Sequence, residues 1–318
     1  MKALILGCGS IGQRHVRNLV DLGIVDLAVF DPDEQRTRTF LDELGVGTYC
    51  PDRDQLTGHF DLGLVCSPTS LHVPDALWLS PRCTGLFIEK PLSHSLDQID
   101  ELLTTTELNH NLTMMAMCYR FNSLVGLACD ELKSGAIGTV FAASVNFGQS
   151  LPTWHPTRNY RTEYAARSDL GGGVCLTTGS HVIDLIRFML GEIKEVNGFT
   201  RSTGELGVNI DDVSAGTLKT TAGLVVGFQF DFLQIPKRAE VVLCGSKGRI
   251  RIDFVQEEVY IERTSRHTIG LVGSMTKMYQ EELQYFVDMV KSGKQDPSLD
   301  VRDGLITLKR ILELRSMI

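Results

Sequence analysis

The chain has 318 residues, with 31 basic and 39 acidic side chains and a formal net charge of −8. That length suits two domains. The mild acidity argues against a nucleic acid or an anionic membrane as partner, and the apolar runs are strand-sized rather than membrane-spanning. "MKALILGCGS" passes straight from an apolar run into a glycine turn, so neither a signal peptide nor an anchor is expected there. Eight scattered cysteines without a CxxC pair predict reduced thiols, a cytoplasmic location and no zinc site or other metal.

In chain order, "KALILG", "VDLAVF", "VGTYC", "DLGLVCS", "GLFIE" and "LTMMAMC" read as strands, with amphipathic helical segments such as "IGQRHVRNLVDLG" and "SLDQIDELLTTTEL" between them. Strand and helix in alternation predict right-handed parallel crossovers, hence an α/β domain with a doubly wound parallel sheet over residues 1–118. Over 119–318 the rhythm changes to a helix ("FNSLVGLACDELKSG"), a long strand ("GTVFAASVNFG"), an irregular stretch, an apolar helix after "GGG", successive strands, and two closing helices joined by "KQDPSLD". Val226, Phe228, Phe230 and Phe232 fall on one face of their strand. Ile250, Ile252 and Phe254 oppose Arg249, Arg251 and Asp253 on another. The expectation is an α+β domain with a largely antiparallel open sheet. Its second face, showing Val225 and Leu233, lacks a covering helix, and a homodimer or homotetramer built on that face would cover it.

The chemistry begins at Gly7, Gly9 and Gly12, a G-x-G-x-x-G with Ser10 and Ile11 inside it, placed between the first strand and the first helix. Glycines there permit a tight turn and close backbone approach, so that a pyrophosphate can sit on the unsatisfied N–H groups of the helix. Asp31 ends the second strand about 20 residues on, where an acid accepts hydrogen bonds from the adenosine ribose. A carboxylate repels a 2′-phosphate, so NAD is expected as cofactor, while Arg36 and Arg38 keep NADP open.

Five segments in order give the chain a resemblance to the glucose-fructose oxidoreductase / inositol dehydrogenase / rhizopine catabolism (Gfo/Idh/MocA) family over nearly its whole length. They are the glycine loop, S-P-T-x-x-H at Ser67 to His72, Glu89-Lys90-Pro91, "YRF" at Tyr119 to Phe121, and G-x-H-x-x-D at Gly179 to Asp184. The resemblance implies a Rossmann domain whose cofactor is also contacted by Ser67, Pro68, Thr69, His72, Glu89 and Lys90. It implies too that Lys90 and His181 are catalytic and face the substrate carbon. Oxidising a secondary alcohol removes a hydride from carbon and a proton from oxygen, and an imidazole and an ammonium can remove that proton and stabilise the developing alkoxide.

Many relatives carry an aspartate four residues before this histidine. Here Thr177 stands in that place, a neutral hydroxyl that leaves more of the proton handling to Lys90; helical spacing lets Asp184 take over as orienter of His181 or, equally, face a helix end or solvent. The block "GQSLPTWHPTRNYRTEYAARSDLGGG" brings Trp154, His155, Tyr160, Tyr164, Arg158, Arg161 and Arg167 together. Aromatic faces stack on sugar C–H faces and arginines grip carboxylate or phosphate oxygens. Trp154, Tyr160, Arg161 and Thr177 therefore join Lys90 and His181 as candidates to bind a sugar, nucleotide sugar or cyclitol. The reading is an NAD(P)-dependent dehydrogenase or reductase acting on CH–OH groups. Two alternatives stand beside it, an NAD-retaining glycosidase of the same family and a non-catalytic NAD-responsive binding protein.

Overall fold

The structure, a computed structural model, describes residues 1–263, 275 and 277–317. Its first sheet contains β1 (Lys2–Leu6), β2 (Asp26–Phe30), β3 (Thr48–Tyr49), β4 (Phe60–Val65), β5 (Cys83–Ile88) and β6 (Leu112–Met115), interleaved with α1 (Ser10–Asp21), α2 (Glu34–Leu44), α3 (His72–Leu79) and α4 (Ile99–Leu108). The strands are all parallel, in the order β3-β2-β1-β4-β5-β6, which reverses direction of travel beside β1. Leu4, Ile5, Leu6, Leu62 and Leu64 are wholly buried, as expected for strands covered on both faces.

The second sheet follows α5 (Ser123–Lys133) and is built from β7 (Val140–Gly148), then, after α6 (Val174–Leu190), β8 (Ile193–Arg201), β9 (Val213–Thr220), β10 (Val225–Asp231), β11 (Arg238–Gly245), β12 (Gly248–Asp253) and β13 (Glu258–Arg263). Its order is β13-β12-β11-β7-β10-β9-β8. Among the described residues only β7 and β10 pair in parallel in this sheet, and the other pairs are antiparallel. Val226, Phe228 and Phe230 are buried, and α6 approaches them through Gly179, where a Cβ would stand 3.1 Å from the Phe230 ring. On the other face the register sets Val225, Gly227 and Gln229 opposite Ala142, Ser144 and Asn146. Val225 is 49% exposed there, and Phe199, opposite Ala215, is 80% exposed.

Two helices close the chain, α7 (Lys277–Ser292) and α8 (Val301–Arg315). The fold resolves into two compact units, one of Met1–Met117 with Tyr279–Ile306 and the other of Cys118–Met278 with Thr307–Ile318. A sequence boundary at 118 assigns everything beyond it to the second domain, whereas the structure returns Tyr279–Ile306 to the first unit. The reason is packing: Phe286 of α7 meets Phe87 of β5 at 5.3 Å, over Gly85, where a side chain would overlap Phe286 and Val290.

Candidate active site

In the first unit β1 delivers Gly7 at φ +101°, a conformation that favours glycine, and a Cβ there would come within 2.5 Å of the Cys66 backbone. A Cβ at Gly12 would overlap the Gly7 carbonyl, whereas one at Gly9 would meet nothing within 4 Å. Gly9 is the N-cap of α1, supplies no side-chain acceptor, and is followed by a first turn without acids. Exposed Ser10 and half-buried Ile11 thus start a helix with no side-chain cap, whose first-turn N–H groups suit an anionic group. Asp31 is buried beside this loop: Oδ2 accepts the Cys8 N–H at 2.6 Å, and Oδ1 accepts the Asp33 N–H at 2.8 Å and Arg36 Nη2 at 2.7 Å.

The segments after β4 and β5 are fastened together. His72, 2% exposed, places Nδ1 2.7 Å from the Pro91 carbonyl oxygen and Nε2 2.9 Å from that of Ser67. Burial pushes the His72 pKa down, against the two carbonyl partners, which favour the charged ring. His72 therefore braces the loops, and its nitrogens are engaged with main chain rather than presented to a nucleotide. Thr69 is also buried, Ser67 and Pro68 are half-buried, and Ser67 Oγ finds no partner among the described residues. Glu89 is 6% exposed, with Oε1 2.8 Å from His15 Nε2 and Oε2 accepting the Lys90 N–H at 3.2 Å. Burial raises the Glu89 pKa, but the His15 hydrogen bond and the charges of His15, Lys90 and His72 outweigh it and hold the carboxyl below its ordinary range. Lys90 itself is half-buried.

In the second unit Gly171 and Gly173 take φ +79° and +108°, and a Cβ on Gly173 would strike the Asp211 carboxylate. That carboxylate caps α6: Oδ2 accepts the Cys175 N–H at 2.8 Å, while the Val174 N–H donates to the Asp211 carbonyl at 2.8 Å. Thr177, 2% exposed, gives its hydroxyl proton to the Gly173 carbonyl at 2.7 Å. The neutral hydroxyl foreseen beside His181 thus spends its donor on the helix backbone. His181 is half-buried and meets the Tyr119 ring edge-on at 5.1 Å. Tyr119 packs in turn on Phe147 and Phe254, and burial pushes its hydroxyl pKa up. Asp184 is buried, and its two oxygens receive Arg120 Nε at 2.9 Å and Nη2 at 2.5 Å, a partner that helical spacing alone did not indicate.

The aromatic and arginine block divides. Trp154 packs edge-on against Phe232 at 5.2 Å with its Nε1 buried, and Tyr160 donates its hydroxyl to the Leu206 carbonyl at 2.9 Å. Arg161 is exposed and lies 5.0 Å over the Tyr160 ring, and Arg167 pairs with Asp169. His15, Arg120 and Asp211 were missed as site residues. Arg120 lay inside the "YRF" segment without a role of its own, and His15 lay three residues beyond Gly12, outside the glycine motif.

Residues 1–117 match the oxidoreductase family with an NAD-binding Rossmann fold in the GFO/IDH/MocA group, and residues 128–251 match the GFO/IDH/MocA C-terminal domain. The chain belongs to the GFO/IDH/MocA family. It is 27% identical to myo-inositol 2-dehydrogenase of Thermotoga maritima, over 97% of this chain and 93% of that one. It is 24% identical to D-xylose 1-dehydrogenase (NADP(+)) 2 of Haloferax volcanii, over 96% and 94%. Among solved structures, levoglucosan dehydrogenase in complex with NADH and levoglucosan superimposes with a TM-score of 0.87 at 15% identity, covering 100% of this chain and 96% of that one. Myo-inositol 2-dehydrogenase from Lactobacillus plantarum gives 0.82 at 22% identity, covering 100% and 96%. No described helix is long and apolar enough to cross a membrane, and no group of three or more potential metal ligands occurs among the described residues.

The Glu89 environment sets a pH dependence. A carboxyl whose pKa is lower in the folded state contributes stability that is fully present above its ordinary value of 4.5 and is lost as pH falls through the lowered one. Glu89→Gln should cost about 1–3 kcal/mol at neutral pH, since it weakens a buried charge-assisted contact. Urea titrations should then show the variant losing less of its remaining stability than wild type between about pH 5 and pH 3.

Proposed function

We propose that this chain is an NAD-dependent dehydrogenase of a sugar or cyclitol, with Lys90 and His181 carrying the proton of the substrate hydroxyl. The observation that carries the reading is the open, glycine-lined N-terminus of α1, with the Asp31 carboxylate tied to its loop through the Cys8 N–H. Bound NAD supplies the hydride acceptor. The chain then has to supply a group that takes the hydroxyl proton and a positive charge that steadies the alkoxide. Lys90 Nζ can take the proton only as the free amine, and the ammonium it thereby becomes supplies the charge, while the His181 imidazole, in edge contact with Tyr119, suits hydroxyl positioning. Inositol, xylose and levoglucosan dehydrogenases among the relatives support net oxidation of a CH–OH group, and they lend no support to the glycosidase or the non-catalytic reading. Arg161, exposed on its loop, supports a polar, oxygen-rich substrate.

The open face of the second sheet supports a homodimer or homotetramer. Phe199 and Val225 lie on a face that also carries the small residues Ala142, Ser144, Ala215 and Gly227. Eight cysteines, all free, fit a reducing cytoplasm.

A panel of inositols, aldoses, anhydrosugars and nucleotide sugars, followed by NADH absorbance, should give turnover with at least one member. No response from any of them would refute the reading. With that substrate, Lys90→Ala should lower kcat by about 100- to 10,000-fold at little cost in NAD affinity, and His181→Ala should cost less. Normal turnover by Lys90→Ala would reverse the assignment. Calorimetry should give tighter binding of NAD than of NADP, because a 2′-phosphate would meet Asp31. Sedimentation at micromolar concentration should give a dimer or tetramer that Phe199→Asp shifts toward monomer, and a wild-type monomer would remove the sheet-face assembly.

A further inference from the structure

His15 lies on α1, the helix that begins at the glycine loop, and it is fully buried. Its ring meets Phe87 edge-on at 5.1 Å, and its Nε2 stands 2.8 Å from Glu89 Oε1. Glu89 is the residue before Lys90, and its second oxygen accepts the Lys90 N–H. An ionised carboxylate only accepts, so His15 carries its proton on Nε2. Its Nδ1, buried as well, finds no partner among the described residues.

A hydrogen-bonded relay thus runs from the middle of α1 through one carboxylate to the main chain of the proposed catalytic lysine. Apolar residues could fill the same volume without the desolvation cost of burying a carboxylate and an imidazole, so packing alone does not account for the pair. What a carboxylate adds is direction, because each oxygen accepts along a defined line, one toward the helix and the other toward the Lys90 peptide.

We propose that His15 is a positioning residue for Lys90: it fixes the Glu89 carboxylate, and Glu89 fixes the peptide from which the lysine extends. The helix that would receive the cofactor phosphates and the lysine that would handle the substrate proton are thereby held in one register. The inference rests on the dehydrogenase reading for its catalytic meaning, but the relay itself is measurable without a substrate.

The test uses the full chain and three variants. His15→Gln keeps an amide nitrogen at about the reach of Nε2, His15→Phe keeps the ring without the nitrogen, and His15→Asn keeps an amide that falls short of Glu89. Hydrogen exchange at the Lys90 amide, read by fragmentation mass spectrometry, should accelerate at least about 10-fold in His15→Phe and His15→Asn and stay near wild type in His15→Gln. On the sugar found in the screen, kcat should fall roughly 10- to 100-fold in Phe and Asn, as expected for a misplaced catalytic group. The NADH dissociation constant should stay within about 3-fold of wild type, and Gln should recover most of the rate. If His15→Phe does not fold, His15→Asn carries the comparison. Unchanged Lys90 exchange in Phe and Asn overturns the proposal, as does a rate loss that Gln fails to recover or one that moves together with NADH affinity. If wild type turns over no sugar while the exchange pattern is as expected, the relay stands and the dehydrogenase reading falls.

Discussion

An ionised carboxylate held inside the protein, that of Glu89, is the constraint on which the carboxyl edge of the first sheet depends. Removing such a group from water is costly, and the cost is offset only if every lone pair has somewhere to go. Here one oxygen is taken by His15 and the other by the Lys90 N–H, while His72 joins the segments on either side through the Ser67 and Pro91 carbonyls. The loops after β4 and β5 are therefore parts of one polar lattice rather than independent turns. Lys90 leaves that lattice as the half-buried side chain between Glu89 and Pro91.

Two helices begin after glycines, and their N-termini differ. α1 starts at Gly9 with no side-chain cap and open space before it, whereas α6 starts at Gly173 with the Asp211 carboxylate already bound to its first turn. Both have the positive end of a helix dipole, but that of α6 is met by a carboxylate of the chain itself, whereas that of α1 has no side-chain cap. The glycines around α6 serve another purpose, letting Asp211 come close enough to cap. That end of α6 is a fixed base for Thr177 and His181, held further by Arg315 at 3.3 Å from Asp211.

Much of this was legible in the sequence, for reasons that can be named. The parallel sheet and the glycine loop are local in the chain, since a strand, a turn with φ above zero and a helix occupy consecutive residues, and the seven-stranded sheet announced itself through alternating phenylalanines and isoleucines. The partners of polar side chains were not legible. Helical spacing placed Asp184 near His181 but said nothing of Arg120, which arrives from 64 residues away to take both oxygens. The same applies to Tyr160, whose hydroxyl reaches Leu206, and to Tyr279–Ile306, whose return to the first unit depends on the side chain missing at Gly85. The proposed roles of Lys90, His181 and the nucleotide loop came from motif order, and the geometry around them is compatible with those roles.

The Arg36 guanidinium resting on Asp31 Oδ1 has a consequence for how this chain could change. On the proposed reading, a ribose hydroxyl that approached Oδ1 would compete with that arginine, whereas one that approached Oδ2 would share the carboxylate with it, and salt would ease the first exchange. The pair also holds in reserve the cation that a phosphate would need. On the same reading, a lineage that lost the Asp31 carboxylate would release Arg36 at the ribose edge of the site without having to acquire a new basic residue, leaving a cation for phosphate recognition one substitution away.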